Sequence, residues 1–213
     1  MCDYMYMNRV YNIAILVVAL FAALIVVSCN NETDTTLNTQ QKNIANYLKG
    51  SHQPRLIPEE EISNSLDDEP QFYTHWGLDI YRYVSTYYDA ERSSKPQIAA
   101  GDTISIIYSA YVFKSGKPSS SDLFATNNET LINDLKAQGL DTSYEWTTEP
   151  VEVRVGSGDL LDSLDIALEG CYEGDVVEVY ITFEAGYGNK YFGVVPAKSA
   201  QVWFIEVKSV TKK

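Results

Sequence analysis

The chain has 213 residues and a formal net charge of −13, a length that accommodates one or two domains. Nucleic-acid binding needs clustered Lys and Arg to neutralise phosphates, and the 16 basic residues form no such cluster. Charge-driven binding to an anionic membrane is not expected, on the same ground.

The first 29 residues read as an export segment and not as part of a fold. Ile13 to Val27 is an unbroken apolar run of fifteen residues. A bilayer span needs about 20, so the run fits the apolar region of a signal peptide, with Arg9 as its positive flank. It ends in Val26-Val27-Ser28-Cys29. A small residue before a cysteine there resembles the lipobox of bacterial lipoproteins. The resemblance implies that residues 1–28 are a cleaved signal peptide and that Cys29 carries the lipid. The alternative is a membrane anchor that happens to end in Cys. The polar stretch Asn30–Thr36 has too little apolar surface to fold and suits a tether.

Loss of Cys2 with the leader and lipidation of Cys29 leave Cys171 alone. An internal disulfide is then impossible, and the exported domain must rely on its core. His52 and His75 are the only histidines, and neither is near Cys171 in sequence. A Cys/His nucleophile and a metal site are both poorly supported, and no cofactor is implied.

Lys42 to Lys49 carries Ile44, Tyr47 and Leu48 at helical spacing before Gly50, which predicts a short helix. Pro54, Pro58, Glu59 to Glu61 and Asp67 to Pro70 are polar and turn-rich. Residues 29–70 are therefore expected to be a tether with a short helical segment, and residues 71–213 the folded domain. Strands are expected at Leu78–Val84 and Thr103–Phe113, from their aromatic and β-branched content. A loop follows over Ser115 to Ser121. Asn128 is placed to cap an inserted helix over Thr130 to Lys136 that Gly139 stops. Its Leu131, Ile132 and Leu135 share a face. Val151 to Val155 alternates as a strand with one wet face. After Gly156-Ser157-Gly158, Asp159 is expected to cap a helix whose Leu160, Leu161, Leu164, Ala167 and Leu168 form one stripe. Strands at Val176–Phe183 and Val202–Val210 close the chain. This order predicts an α+β fold, an antiparallel twisted sheet wrapped around a short helix, with a second helix inserted.

The link between the last two strands is unusual. Glu184 to Val195 carries glycines, two tyrosines and a phenylalanine and runs into Val194-Val195-Pro196. A plain hairpin needs only two to five residues. Gly101 to Tyr108, Gly156 to Gly170, Glu173-Gly174-Asp175, Ala185-Gly186-Tyr187-Gly188 and Gly193-Val194-Val195-Pro196-Ala197 occur in the order of the motifs of FKBP-type peptidyl-prolyl isomerase domains, which they resemble from about residue 78 to 210. The resemblance implies that this loop is one wall of a pocket for a prolyl ring.

Carried over position by position, the resemblance gives the catalytic role to the Tyr187 hydroxyl, the Leu161 backbone N–H and Tyr108. It gives substrate binding to Phe124, Val151, Leu160, Leu164, Val195 and Trp203. For the aliphatic side chains plain core packing is the alternative. Several positions depart from the family pattern. Leu164 stands where the family has a Trp floor, Ala125 where an Asp follows the Phe, Val151 in place of a Phe, and Trp203 in place of a Phe. A second alignment would put Ser119-Ser120 at the Phe-Asp pair. The segment from Lys114 to Pro150 is also longer than the family's link, and its helix with Tyr144-Glu145-Trp146 could cover the pocket or pack beside it.

The function implied is a lipid-anchored prolyl isomerase of the bacterial cell envelope acting on proline-containing peptides or unfolded exported proteins, with no nucleic-acid partner. Two alternatives are a catalytically weak peptide-binding or chaperone lipoprotein on the same fold, and a surface lipoprotein for glycan binding or assembly. The last would use some of the sixteen tyrosines. For Tyr73, Tyr81, Tyr83, Tyr87 and Tyr88, packing across strands is the simpler expectation.

Overall fold

The structure is a computed structural model that describes residues 35–140, 143 and 146–213. The apolar leader, Cys29, Tyr144 and Glu145 lie outside the described residues. The chain divides into two compact units, Met1–Thr39 and Gln40–Lys213. In the first, residues 35–39 are helical. The second holds the fold that follows.

Helical residues 40–46 (α1) lead into a π-turn at Tyr47–Ser51. Then come β1 (Ile57–Pro58), β2 (Phe72–Trp76), β3 (Ile80–Val84), β4 (Thr103–Phe113), β5 (Leu123–Thr126), α2 (Glu129–Ala137), β6 (Val151–Arg154), α3 (Asp162–Leu168), β7 (Val176–Ile181) and β8 (Ala200–Thr211). The strands form one eight-stranded sheet in the order β1-β2-β3-β7-β8-β4-β5. β6 shares with β5 the flank of β4 that faces away from β8, pairing at Thr103 to Ile106, while β5 pairs at Ser109 to Tyr111. The α+β class is as expected, but the sheet is mixed. β1 runs parallel to β2, across the connection 59–71, a crossover of the length a parallel pair requires.

Alternation along the strands gives the sheet two buried faces. Ile104, Ile106 and Ala110 of β4, Val177, Val179 and Ile181 of β7, and Trp203, Ile205 and Val207 of β8 point to one side. There α3 lays Leu164, Ala167 and Leu168 against them, each almost fully buried. Tyr81 and Tyr83 of β3, Tyr180 of β7 and Val202 of β8 point to the other side.

That second face is covered by residues expected to belong to the tether. Ile44, Tyr47, Leu48 and Leu56 are buried against it. His52 is buried too, with Nε2 3.0 Å from a Glu178 carboxylate oxygen and Nδ1 2.6 Å from the Pro54 carbonyl oxygen. The domain's compact unit therefore begins upstream of the expected boundary at 70. The physical reason is plain: a tyrosine-rich outer face would be unfavourable in water, and this layer removes it from solvent. Tyr73, Tyr81 and Tyr83 are core residues, 3–5% exposed, and cannot stack on a sugar.

Two helices differ from expectation. α2 is capped as predicted, with the Asn128 side-chain oxygen accepting from the Leu131 N–H at 3.0 Å, but only Ile132 is buried. α3 starts at Asp162, not at Asp159. The Asp159 carboxylate instead accepts from the Arg154 N–H at 3.0 Å and closes the turn after β6. Gly158 in that turn has φ +88, a conformation that favours glycine. Leu161 has extended backbone and is the residue before the helix. Leu160 and Leu161 thus leave the stripe and face a hollow.

Candidate functional site

Tyr108 and Trp203 come from adjacent strands and share the inner face, with ring centroids 5.5 Å apart. The cross-strand partners of Trp203 are Val179 on β7 and Ala110 on β4, and the small side chain of Ala110 leaves room for the indole. The indole N–H donates to Gln201 Oε1 at 3.1 Å, which fixes the ring. The backbone of Tyr108 is pinned as well. Buried Asn127 accepts from the Tyr108 N–H at 2.6 Å and donates to the carbonyls of Ile106 and Glu149 at 3.0 Å. One side chain therefore ties the site strand to both ends of the α2 segment.

Phe124 reaches in from β5, edge-on to Trp203 at 5.6 Å and to Tyr187 at 6.3 Å. This supports the alignment that keeps an aromatic there, since Ser120 lies in a separate turn at Ser120–Asp122. Ala125, next to it, pairs with Ala110.

Tyr187 lies on the loop between β7 and β8. The loop is folded by the N–H groups of Gly186 and Gly188, both donating to the Phe183 carbonyl, at 3.1 and 2.8 Å. Phe192 and Val195 exchange backbone hydrogen bonds at 3.1 and 2.9 Å around a tight turn, where Gly193 has φ +56. The Phe192 ring stacks on Tyr187, centroids 4.1 Å apart and planes within 16°. The loop is also held from outside. Gln40 of α1 accepts from the Phe183 N–H at 2.9 Å and donates to the Lys198 carbonyl at 2.8 Å, bracketing both of its ends.

These elements enclose a hollow of about 330 Å³. Leu164 is its floor, Val151, Leu160 and Leu161 its sides, and Tyr108, Tyr187 and Trp203 its aromatic wall. So seven of the expected residues border one hollow. Phe124 braces two of its rings without bordering it. Val195 does not border it either: it is 1% exposed, buried beneath the loop as the partner of Phe192. Its β-branched side chain serves the core, and the neighbouring Val194 points outward, 77% exposed.

Sequence reasoning missed Ile106, Val153, Asp159 and Phe192 at the hollow, and Asn127 behind it. Ile106 could have been found from its i−2 relation to Tyr108, and Phe192 from the cost of leaving a ring on a glycine-rich loop. Asn127 had no local signal, because its three partners are about twenty residues away in the chain.

Burial raises the pKa of Tyr108, and burial with the nearby Tyr108 raises that of Tyr187. Both hydroxyls are protonated donors near neutral pH, and among the described residues neither has a hydrogen-bond partner. The Leu161 N–H likewise has no acceptor among the described residues. The Ser157 hydroxyl and the Arg154 N–H hold Asp159, at the rim, below the usual carboxylate range. Cys171 is far from nucleophilic, because burial pushes its thiol up to about 11. His52 sits on the opposite face of the sheet. Among the described residues no group of three His, Cys, Asp or Glu side chains is placed to hold a metal ion.

The chemistry open to such a site needs no nucleophile. An amide resists rotation by about 18–20 kcal/mol because resonance keeps it planar. The planar form is more polar than the twisted one, so an apolar hollow disfavours it relative to the twist. Free donors at the rim can hold the flanking carbonyls while the bond turns.

A family model described as FKBP-type peptidyl-prolyl cis-trans isomerase matches residues 94–208. The chain is 24% identical over 119 residues to FK506-binding protein 1 of Aspergillus oryzae, covering 56% of this chain and 91% of that protein. A crystal structure of the three FKBP domains of wheat FKBP73 aligns with 18% identity and a TM-score of 0.48. The alignment covers 67% of this chain and 52% of that one, about half its length.

Proposed function

This chain belongs to the FKBP-type peptidyl-prolyl cis-trans isomerase family, and we propose that it is a lipid-anchored isomerase that assists the folding of exported proteins. The anchor is the lipid on Cys29, which places the domain in the cell envelope, and residues between Cys29 and the folded unit act as the spacer. Tyr187, Leu161 and Tyr108 hold the substrate carbonyls, and Val151, Leu160, Leu164 and Trp203 surround the prolyl ring.

The observation that carries the isomerase reading is the convergence of Tyr108, Tyr187 and Trp203, from three separate elements, on one hollow floored by Leu164. The test is isomerisation of a short Xaa-Pro peptide followed by NMR exchange. Catalysis above the uncatalysed rate is expected. Binding without acceleration would assign the domain to peptide capture instead, a reading favoured by Ala125 standing where the family carries an acid. The anchor is tested separately, by labelling cells with a fatty acid: a Cys29→Ser variant is expected to lose both the label and the membrane fraction.

A further inference from the structure

The hollow described above has a neighbour. A second one, of about 460 Å³, lies across the Leu160–Leu161 segment and shares both residues, with Gly158, as a common wall. Ile80 and Ile166 give it apolar sides, and Asp162 and Glu184 stand at it from α3 and from the loop after β7. The wall is built rather than loose: the Ser163 hydroxyl, itself buried, donates to the Ala185 carbonyl at 2.7 Å and ties α3 to that loop. Ala185 and Gly186 complete its lining, and Gly186 is held small by Gln201 packed against it. Asp162 and Glu184 are exposed, and among the described residues neither has a cationic or hydrogen-bonding partner. No Lys or Arg lines either hollow.

We infer that a client chain with its proline in the first hollow crosses the Leu160–Leu161 wall and lays a Lys or Arg side chain into the second, so that this isomerase selects prolines flanked by a basic residue. The inference rests on the isomerase reading of the first hollow. The alkyl stem packs on Ile80 and Ile166 while the charged head stays in water between the two carboxylates, the arrangement long basic side chains prefer. Because the two hollows share a wall, the preference has a register. It applies at one position relative to the proline, whereas the bulk charge of −13 would favour basic residues at every position equally.

The experiment is a set of proline peptides identical except for Lys, Gln or Glu at successive positions on either side of the proline. Kd is measured by fluorescence titration and kcat/KM by exchange NMR. At one position Lys is expected to bind about threefold more tightly than Gln, and Glu more weakly, the size typical of exposed ion pairs. The preference should shrink with added salt and approach unity in D162N/E184Q. Equal Kd for Lys and Gln at every position overturns the inference. So does a preference spread evenly along the peptide, or one that survives the double substitution. Should no peptide be isomerised while the Lys register persists in Kd, the isomerase reading falls and the basic-residue site stands.

Discussion

Replacing Tyr187 by Phe removes one oxygen from the aromatic wall and leaves the ring. The stack on Phe192 at 4.1 Å and the edge contact with Phe124 do not involve the hydroxyl. Among the described residues the hydroxyl has no protein partner, so its loss orphans no buried group. Stability should therefore stay within about 0.5 kcal/mol, as for substitutions away from packed or bonded features. A donor to a substrate carbonyl contributes about 0.5–1.5 kcal/mol, which corresponds to about a two- to twelvefold fall in kcat/KM. Exchange NMR on a prolyl peptide gives the rate, and a urea titration gives the stability. Unchanged kcat/KM would show that the hydroxyl does not engage the substrate. A fall matched by a drop in stability would show that Tyr187 is a structural residue and that the donor assignment is wrong.

Other expectations concern the layer on the far side of the sheet. Gln40→Ala removes two hydrogen bonds at the ends of the Tyr187 loop, each worth about 1 kcal/mol. It is expected to lower kcat/KM several-fold and to be non-additive with Tyr187→Phe, since both act through one side chain. Additive losses would separate Gln40 from the site. The His52 pair sets a pH dependence. Burial pulls its pKa down, but the bonds to the Glu178 carboxylate and the Pro54 carbonyl outweigh it, and the folded value lies above the ordinary one. The stabilisation is thus complete below about pH 6.5 and is lost as pH rises through the folded value. Thermal melts of the wild type should decline across that window, and those of His52→Gln should not. A parallel decline in both would discount the pair.

How legible the site was depends on the range of each signal. The sequence spacing places Leu160, Leu161 and Leu164 in one helical stripe together with Ala167 and Leu168. The structure splits them, because the Gly156–Gly158 turn delays the helix to Asp162 and turns the first two leucines toward the hollow. Motif order assigns Val195 to the pocket, yet the turn at Gly193 points Phe192 to the hollow and Val195 to the core. Residues 40–58 looked like a spacer because their polar neighbours masked a few well-placed apolar side chains. Only the exposed tyrosine face of the sheet, which exists once strands pair, makes those side chains necessary.

The amino-acid order alone determined the long strands, the capped inserted helix and the glycine-rich aromatic loop. Each follows from period-2 alternation, capping chemistry or turn composition, which act over a few neighbouring residues. Tertiary structure alone decided which aromatics meet, that Asn127 and Gln40 brace the site from a distance, and that a second hollow adjoins the first. Those facts depend on strand register and on contacts between segments far apart in the chain, which no local pattern encodes.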